Sequence, residues 1–329
     1  MNVVRAYLSS KTWLTVLGVY TLSLLAAGLV AANIVTPEPS LWEPPANLSD
    51  RDLFHGPWGE SHAPDPDMTY TFVRPKQGGF NPGVVVRDDR GRVWHVKQAP
   101  NNHKGAEGPV EVVLSRVLSA VGYRQPPVYY LPSFTMADAS GTRVVPGGRF
   151  RLDDASLTSR GSWSWKRNPF VDTRPYKGLL VILLVFNSWD LKDSNNTVYD
   201  LDEGGQVTRW YVVRDLGAAL GETGRLAPKR NNIEEFERET FITGVKDNFV
   251  DFKYGGWQPG LLHHTITVDD VKWAVGLLGQ LSDKQWQDAF RAGGYPDDLS
   301  ERFIRKLKAN IAAGQQLESG DAPSSQRGH

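Results

Sequence analysis

The segment Ser188–Asn196 (SWDLKDSNN) groups polar side chains of the kind that bind cations and accept protons. Asp190 and Asn195 stand in it with four residues between them, and Asp215 follows further along the chain in the tripeptide DLG. Carboxylate and amide oxygens are the ligands that Mg²⁺ accepts in its near-octahedral geometry. A carboxylate beside the metal, but not bound to it, can accept the proton of an attacking hydroxyl. These residue types therefore suit a site where a divalent cation binds next to a proton acceptor.

The same residues resemble the catalytic loop and the metal-binding motif of protein kinases. The His-Arg pair that usually precedes the aspartate is Ser-Trp here, and the phenylalanine of DFG is Leu216. These departures are typical of atypical branches of the superfamily, such as bacterial toxin-type, lipid-kinase-type and secretory-pathway kinases. The resemblance implies that Asp190 is the catalytic base with Lys192 beside it, and that Asn195 and Asp215 hold Mg²⁺ or Mn²⁺.

The resemblance also implies an α+β fold of the bilobal protein-kinase-like type. It would have a small antiparallel-sheet N-lobe with one helix and a larger, mostly helical C-lobe. The content of Val, Thr, Tyr and Phe predicts three upstream strands. These are Thr69–Val73, Gly83–Arg87 and Arg92–Gln98.

The turn between the first two of these strands is rich in glycine. Gly78, Gly79 and Gly83 would let backbone amides approach the phosphates of ATP closely, although the turn lacks the GxGxxG order. The Gly-Gly and Asn-Pro dipeptides of this turn also occur in ordinary turns. The three glycines are therefore candidate nucleotide-binding residues.

A lysine and a glutamate complete the nucleotide site that the resemblance implies. Apolar residues at helical spacing predict a helix from Glu107 to about Val121, and Glu111 lies at the edge of its apolar stripe. Because an unpaired buried carboxylate is costly, Glu111 needs a partner, for which Lys97 is the natural candidate. Glu107, one turn earlier, is the fallback partner of Lys97. In kinases such a pair positions the α- and β-phosphates.

Further elements follow in the order that a kinase-like fold requires. We expect a strand leading to the hinge, a buried helix delivering the chain to Asp190, two strands that place Asp215 at a strand end, and several terminal helices. The corresponding segments are Val128–Phe134, Leu179–Phe186, Thr197–Asp200, Arg209–Arg214, a helix starting at Thr267, another capped by Ser282, and Leu299 to about Ala313.

The N-terminal residues predict the cellular location of the folded domain. The apolar residues 13–35 follow Arg5 and Lys11, which indicates a transmembrane anchor or a signal segment with the folded domain outside the cytoplasm; cleavage stays open. We predict a cytoplasmic N-terminus and anchor at 1–36, an extended linker at 37–67, an N-lobe at 68–134, a C-lobe at 135–317 and a disordered tail at 318–329.

Composition narrows the partners without identifying the acceptor. Lys plus Arg and Asp plus Glu both total 37, which argues against a nucleic-acid surface. The hydroxyl acceptor can be a protein, a sugar or a lipid, and transfer of AMP in place of phosphate is a further variant. Two alternatives without catalysis are a pseudokinase and a membrane-tethered interaction or glycan-binding module. The glycan contacts of that module would be Trp163, Trp165 and Trp257.

Overall fold

The computed structural model describes residues 37–79, 81–100, 106–224 and 229–318. The chain divides into two compact units, residues 1–38 and residues 39–329. The predicted anchor at 13–35 lies outside the described residues, as does nearly all of the predicted tail. Among the residues described, no helix has the length and apolar content needed to span a bilayer.

The described residues form eleven strands and six α-helices. The strands are β1 (Glu38–Ser40), β2 (Thr69–Pro75), β3 (Gly83–Arg87), β4 (Val93–Gln98), β5 (Val128–Asp138), β6 (Gly141–Leu152), β7 (Leu157–Gly161), β8 (Asn196–Glu203), β9 (Gln206–Val213), β10 (Ile242–Lys246) and β11 (Phe249–Phe252). The helices are α1 (Glu107–Ala120), α2 (Arg174–Val185), α3 (Ile233–Arg238), α4 (Val268–Leu278), α5 (Asp283–Ala292) and α6 (Asp297–Gln315).

Five strands close into a barrel in the order β2-β3-β4-β6-β5. The antiparallel sheet expected from the sequence is corrected in one respect, because β2 and β5 pair in parallel to close the barrel. The hairpin of β5 and β6 was not foreseen because β6 contains Gly and Pro, which are depleted in strands. Two of its glycines are required by close backbone contact: a Cβ would lie 1.8 Å from the Leu131 carbonyl oxygen at Gly147 and 2.2 Å from the Lys97 carbonyl oxygen at Gly148. The barrel therefore runs to Leu152, beyond residue 134.

Aromatic side chains fill the barrel. Tyr70, Trp94 and Phe150 are fully buried, and Phe134 is nearly so. The rings of Phe134 and Phe150 meet edge to face with centroids 5.1 Å apart, a geometry that the ring quadrupoles favour. This packing fixes β4 and β6, the two strands that carry charged side chains toward the candidate site.

Helix α1 packs against β5, β6 and α5. Every one of its residues is buried, and the predicted helix beginning at Glu107 is confirmed. Burial on all sides explains why its two glutamates must find cations, because a charge removed from water without a partner is costly.

Helix α2 delivers the chain to the loop that contains Asp190. The Thr173 hydroxyl caps its first turn by accepting a hydrogen bond from the Tyr176 backbone amide. The predicted apolar run is buried in the main core. The helix ends before Asn187, whose φ of 53° turns the chain out of the helical path.

The remaining predicted elements are also found. β8 and β9 form an antiparallel hairpin within a four-stranded sheet of order β1-β9-β8-β7, and Asp215 follows the end of β9. Thr267 and Ser282 each form a capping box at the start of α4 and α5. The pairing of β10 with β11 was not predicted.

Candidate active site

A cavity of about 950 Å³, here called the central cavity, collects most of the residues singled out from the sequence. One side is formed by the barrel and the glycine-rich turn, and the other by the loop at residues 189–195 and by the residues after β9. The predicted residues that line it are Gly78, Gly79, Lys97, Asp190, Lys192, Asn195 and Asp215. Glu111 lies behind Lys97, and Gly83 is not among the lining residues.

Lys97 is the point where carboxylates from separate elements meet. Its Nζ atom donates to Glu111 and to Asp215 Oδ1, the latter at 2.9 Å. The same atom lies 2.5 Å from Glu107 Oε2, so the predicted partner and the fallback partner both bind it. Burial opposes the charge of Lys97, but Glu111, Asp215 and Glu107 raise its pKa above the usual 10.5. Lys97 is therefore a fixed cation at the wall of the cavity.

Glu111 is almost fully buried and is compensated by more than one cation. Arg149 Nε donates to Glu111 Oε2 at 2.8 Å, and Arg151 Nη2 lies 3.7 Å from the same oxygen. Burial favours the neutral acid, but Arg149, Lys97 and Arg151 hold the pKa of Glu111 below its usual 4.5. Burial also lowers the pKa of Arg151 to about 9. Neither arginine was predicted as a site residue, because both lie on β6, a strand that the sequence pattern does not indicate.

Glu107 has its own set of partners. Besides Lys97, it binds Arg230 Nη1 at 2.5 Å and accepts a hydrogen bond from the side-chain amide of Asn81. Asn81 belongs to the glycine-rich turn, and Arg230 lies in the segment between β9 and α3. Glu107 therefore links three separate segments around the cavity, a role that its place at the start of a predicted helix did not reveal.

The loop at residues 189–195 holds Asp190 close to Lys192 and to the Asn195 amide. Lys192 Nζ lies 2.8 Å from Asp190 Oδ1. Asn195 donates through Nδ2 to the backbone carbonyl of Asp190 at 2.7 Å, so its Oδ1 atom is the one able to bind a cation. The backbone amide of Asp215 donates to the Asn195 carbonyl at 3.2 Å, which brings the two expected metal ligands together.

The glycine-rich turn is held from within by Lys76. Its Nζ atom donates to the carbonyl oxygens of Gly78 at 2.8 Å and Asn81 at 2.9 Å. Gly78 and Gly79 have φ values of 71° and 75°, a region that side chains disfavour. Glycine is required at position 83 for a different reason, because a Cβ there would lie 2.1 Å from the Val96 carbonyl oxygen.

The donor set fits Mg²⁺ or Mn²⁺. Within the described ranges, oxygen atoms of Glu107, Glu111 and Asp215 lie within 4.8 Å of one another. The Glu111 carboxylate is already paired with Lys97 and Arg149. The Asp215 side chain, in contrast, is 48% exposed and lines the cavity. Asp215 with Asn195 therefore offers the hard oxygen ligands that such a cation prefers.

Two of the three tryptophans considered as glycan contacts are excluded from that role. Trp163 and Trp165 are 4% and 0% exposed and pack edge to face in the core. The Trp163 indole donates to the Val212 carbonyl at 3.0 Å. Only Trp257, at 39% exposed, has a surface position. The prediction that all three are glycan contacts is wrong for the first two, because Trp163 packs against Tyr211 and Trp165 against Tyr176 in the main core.

Comparison with known proteins leaves the family open. No protein-family model and no curated protein matches the chain. Among solved structures, it is similar to the proinflammatory kinase CtkA of Helicobacter pylori, with 11% identity and a TM-score of 0.44 over 76% of this chain and 97% of that one. It is also similar to the Golgi casein kinase with Mn/ADP bound, with 11% identity and a TM-score of 0.39 over 78% of this chain and 74% of that one. Likeness at these scores carries no functional argument.

Proposed function

We propose that this chain is an ATP-dependent phosphotransferase of the protein-kinase type that acts on a hydroxyl acceptor. The observation that carries the proposal is the position of Lys97, which joins Glu111 on the first helix to Asp215 after β9. Asp190 and Asn195 lie across the same cavity. In this proposal the barrel with α1 is the N-lobe, and the chain after β6 is the C-lobe.

The nucleotide would lie between the glycine-rich turn and Lys97. The Lys97 ammonium and the backbone amides near Gly78 and Gly79 are the groups that would bind the phosphates. Glu111 keeps Lys97 in place, and Arg149 keeps Glu111 in place. Phosphoryl transfer needs little covalent work from the protein, so this positioning supplies much of the catalysis.

Asn195 and Asp215 would hold the metal ion, with Mg²⁺ or Mn²⁺ as the candidates. When bound, such an ion neutralises the charge of the phosphate oxygens. Lys192 Nζ lies 2.8 Å from Asp190 Oδ1. Its positive charge would reduce the repulsion between the Asp190 carboxylate and the approaching phosphates.

Asp190 is the proposed base. Its carboxylate would orient the acceptor hydroxyl and take its proton as the hydroxyl oxygen attacks the γ-phosphorus. The bond between that phosphorus and the bridging oxygen breaks, and ADP leaves. The proposal also includes the anchor or signal segment at residues 13–35, which would place the folded unit outside the cytoplasm.

The test is the thermal stability of the full-length chain with ATP and either Mg²⁺ or Mn²⁺. A ligand that binds only the folded state stabilises it by roughly 2.7 kcal/mol at a hundredfold excess over its Kd. We expect a metal-dependent rise in Tm that Asp215→Asn removes. Asp251→Asn is the matched control, because Asp251 lies exposed on β11 and does not line the cavity.

A folded wild-type chain whose Tm no nucleotide changes would exclude this function. Binding without any ADP formation would favour the pseudokinase alternative. A nucleotide-dependent rise in Tm that persists in Asp215→Asn would indicate that the nucleotide binds elsewhere on the molecule.

A further inference from the structure

Trp257 is connected to the candidate base through Lys192. Lys192 Nζ lies 4.7 Å from the centre of the Trp257 ring and 2.8 Å from Asp190 Oδ1. The ring is therefore separated from the base by one lysine side chain. Among the residues that the structure describes, it is the only tryptophan that is exposed. Single exposed aromatic residues are common on protein surfaces, so only the position at which Trp257 is held can indicate a role.

The segment that carries Trp257 is attached to the catalytic loop at several points. The Trp257 backbone amide donates to the Trp189 carbonyl at 2.9 Å, and the Tyr254 hydroxyl lies 2.9 Å from the same oxygen. Gln258 Nε2 lies 2.9 Å from both the Leu191 carbonyl and Asp193 Oδ1. Trp257 and Asp190 thus belong to one hydrogen-bonded unit.

Gly256 shows that this attachment is tight. A Cβ there would lie 2.2 Å from the Trp189 carbonyl oxygen and 2.4 Å from the Tyr254 hydroxyl. No larger residue fits without moving the loop that carries Asp190. The position of the indole relative to the base is therefore fixed by backbone contacts, as a binding site requires.

An aromatic ring near a carboxylate and an ammonium suits one class of acceptor. A pyranose ring has an apolar face of C–H groups that packs on an indole, and it carries several hydroxyls at its edge. One hydroxyl would meet Asp190, while its neighbours would meet the Lys192 ammonium and the exposed Ser194, both of which line the cavity. Polar groups that fix orientation beside an apolar wall are the usual design of a small-molecule site.

We propose that Trp257 and Lys192 form the acceptor subsite and that the acceptor is a hydroxyl of a pyranose sugar. This inference rests on the proposed function. The sugar oxygen forms a bond to the γ-phosphorus of ATP, the bond from that phosphorus to the bridging oxygen breaks, the hydroxyl proton moves to Asp190, and ADP leaves. The product is a sugar phosphate monoester.

The test supplies the full-length chain with γ-³²P-labelled ATP, Mn²⁺ or Mg²⁺, and one probe at a time. The probes are the p-nitrophenyl β-pyranosides of glucose, galactose, xylose and N-acetylglucosamine, with dephosphorylated casein and phosphatidylinositol vesicles as the two other arms. We expect label on at least one glycoside. Trp257→Ala should raise the KM for that glycoside about tenfold or more, and Trp257→Phe should restore much of the loss, because stacking on an aromatic ring is worth about that much.

Trp210→Ala is the matched control. Trp210 is also stacked by a cation, with Arg124 5.3 Å from its ring, but it lines a different pocket. We expect no change in KM for this variant. The ATP-dependent rise in Tm should persist in Trp257→Ala, which shows that the variant is folded and binds nucleotide.

Three results would overturn the inference while the proposed function stands. They are an unchanged KM in Trp257→Ala, label on casein or lipid at a rate that Trp257→Ala does not alter, or no label on any pyranoside when ATP raises Tm. If ATP does not raise the Tm of the wild type, the proposed function fails and this inference fails with it.

Discussion

Lys97 Nζ lies 2.9 Å from Asp215 Oδ1 although 118 residues separate the two in the chain. The contact joins β4 of the barrel to the segment after β9. Lys97 also binds Glu111 on α1, so a single ammonium connects three elements.

The first prediction concerns Arg149. Its guanidinium is 7% exposed and binds the buried Glu111 carboxylate at 2.8 Å. Arg149→Met should lower the free energy of unfolding by about 1.5–3 kcal/mol, the usual worth of a hydrogen bond to a buried charge. Urea titration monitored by tryptophan fluorescence measures it. Arg143→Met is the control, because its ion pair with Asp138 is solvent-exposed and should matter little. Equal losses in the two variants would show that Glu111 does not depend on Arg149.

The second prediction is a loss of stability in acid that depends on Glu111. Its pKa in the folded state is below the usual 4.5, despite burial, because Arg149 and Lys97 favour the carboxylate. As the pH falls, the unfolded chain takes up this proton first, so the stability present above about pH 4.5 is lost progressively below it. Unfolding should be compared for wild type and Glu111→Gln from about pH 7 to about pH 3. The gap between the two should narrow with acidification, and a constant gap would contradict the assignment.

The third prediction separates two glycines. Gly83→Ala should destabilise the barrel, since the added Cβ would lie 2.1 Å from the Val96 carbonyl oxygen. Gly276→Ala, in helix α4 with open space around its Cα, should be neutral or stabilising by up to about 1 kcal/mol because alanine favours helix. The Tm values of both variants, measured by thermal denaturation, test this prediction. A stable Gly83→Ala chain with weakened nucleotide binding would instead favour a nucleotide contact at Gly83.

The fourth prediction concerns the glycine-rich turn. Lys76 fixes the turn through the carbonyl oxygens of Gly78 and Asn81, and burial together with Lys97 and Arg149 lowers its pKa. Lys76→Met should weaken ATP binding by roughly three- to tenfold, because the backbone amides that we propose bind the phosphates would lose their fixed positions. Lys246→Met on β10 is the control, as Lys246 is exposed and outside the cavity. Identical affinities of both variants in a fluorescent-nucleotide displacement assay would exclude this role.

The sequence indicated the residues of the catalytic loop because they are close together in the chain. Asp190, Lys192 and Asn195 lie within one short segment, and Asp215 was placed at a strand end by the hairpin before it. The structure brings these residues into one cavity with Lys97. Their catalytic and metal-binding roles remain predictions.

Residues that act across long separations could not be found in the same way. Arg149 lies on a strand whose Gly and Pro content disfavours strand assignment, and only closure of the barrel places it beside Glu111. Glu107 was considered a substitute for Glu111, whereas both bind Lys97 at once. The burial of Trp163 and Trp165 likewise follows from packing between elements that local sequence does not reveal.

The most direct test of the account separates nucleotide binding from turnover. Binding of ATP with Mn²⁺ or Mg²⁺ is measured by calorimetry, and ADP formation by a coupled assay, for wild type, Asp190→Asn and Asp215→Asn. We predict that Asp190→Asn binds nucleotide like the wild type and loses about 10²–10⁴-fold in turnover, since it removes only the base. Asp215→Asn should lose both binding and turnover. Retention of metal-dependent binding and turnover by Asp215→Asn, or unchanged turnover in Asp190→Asn, would contradict the account.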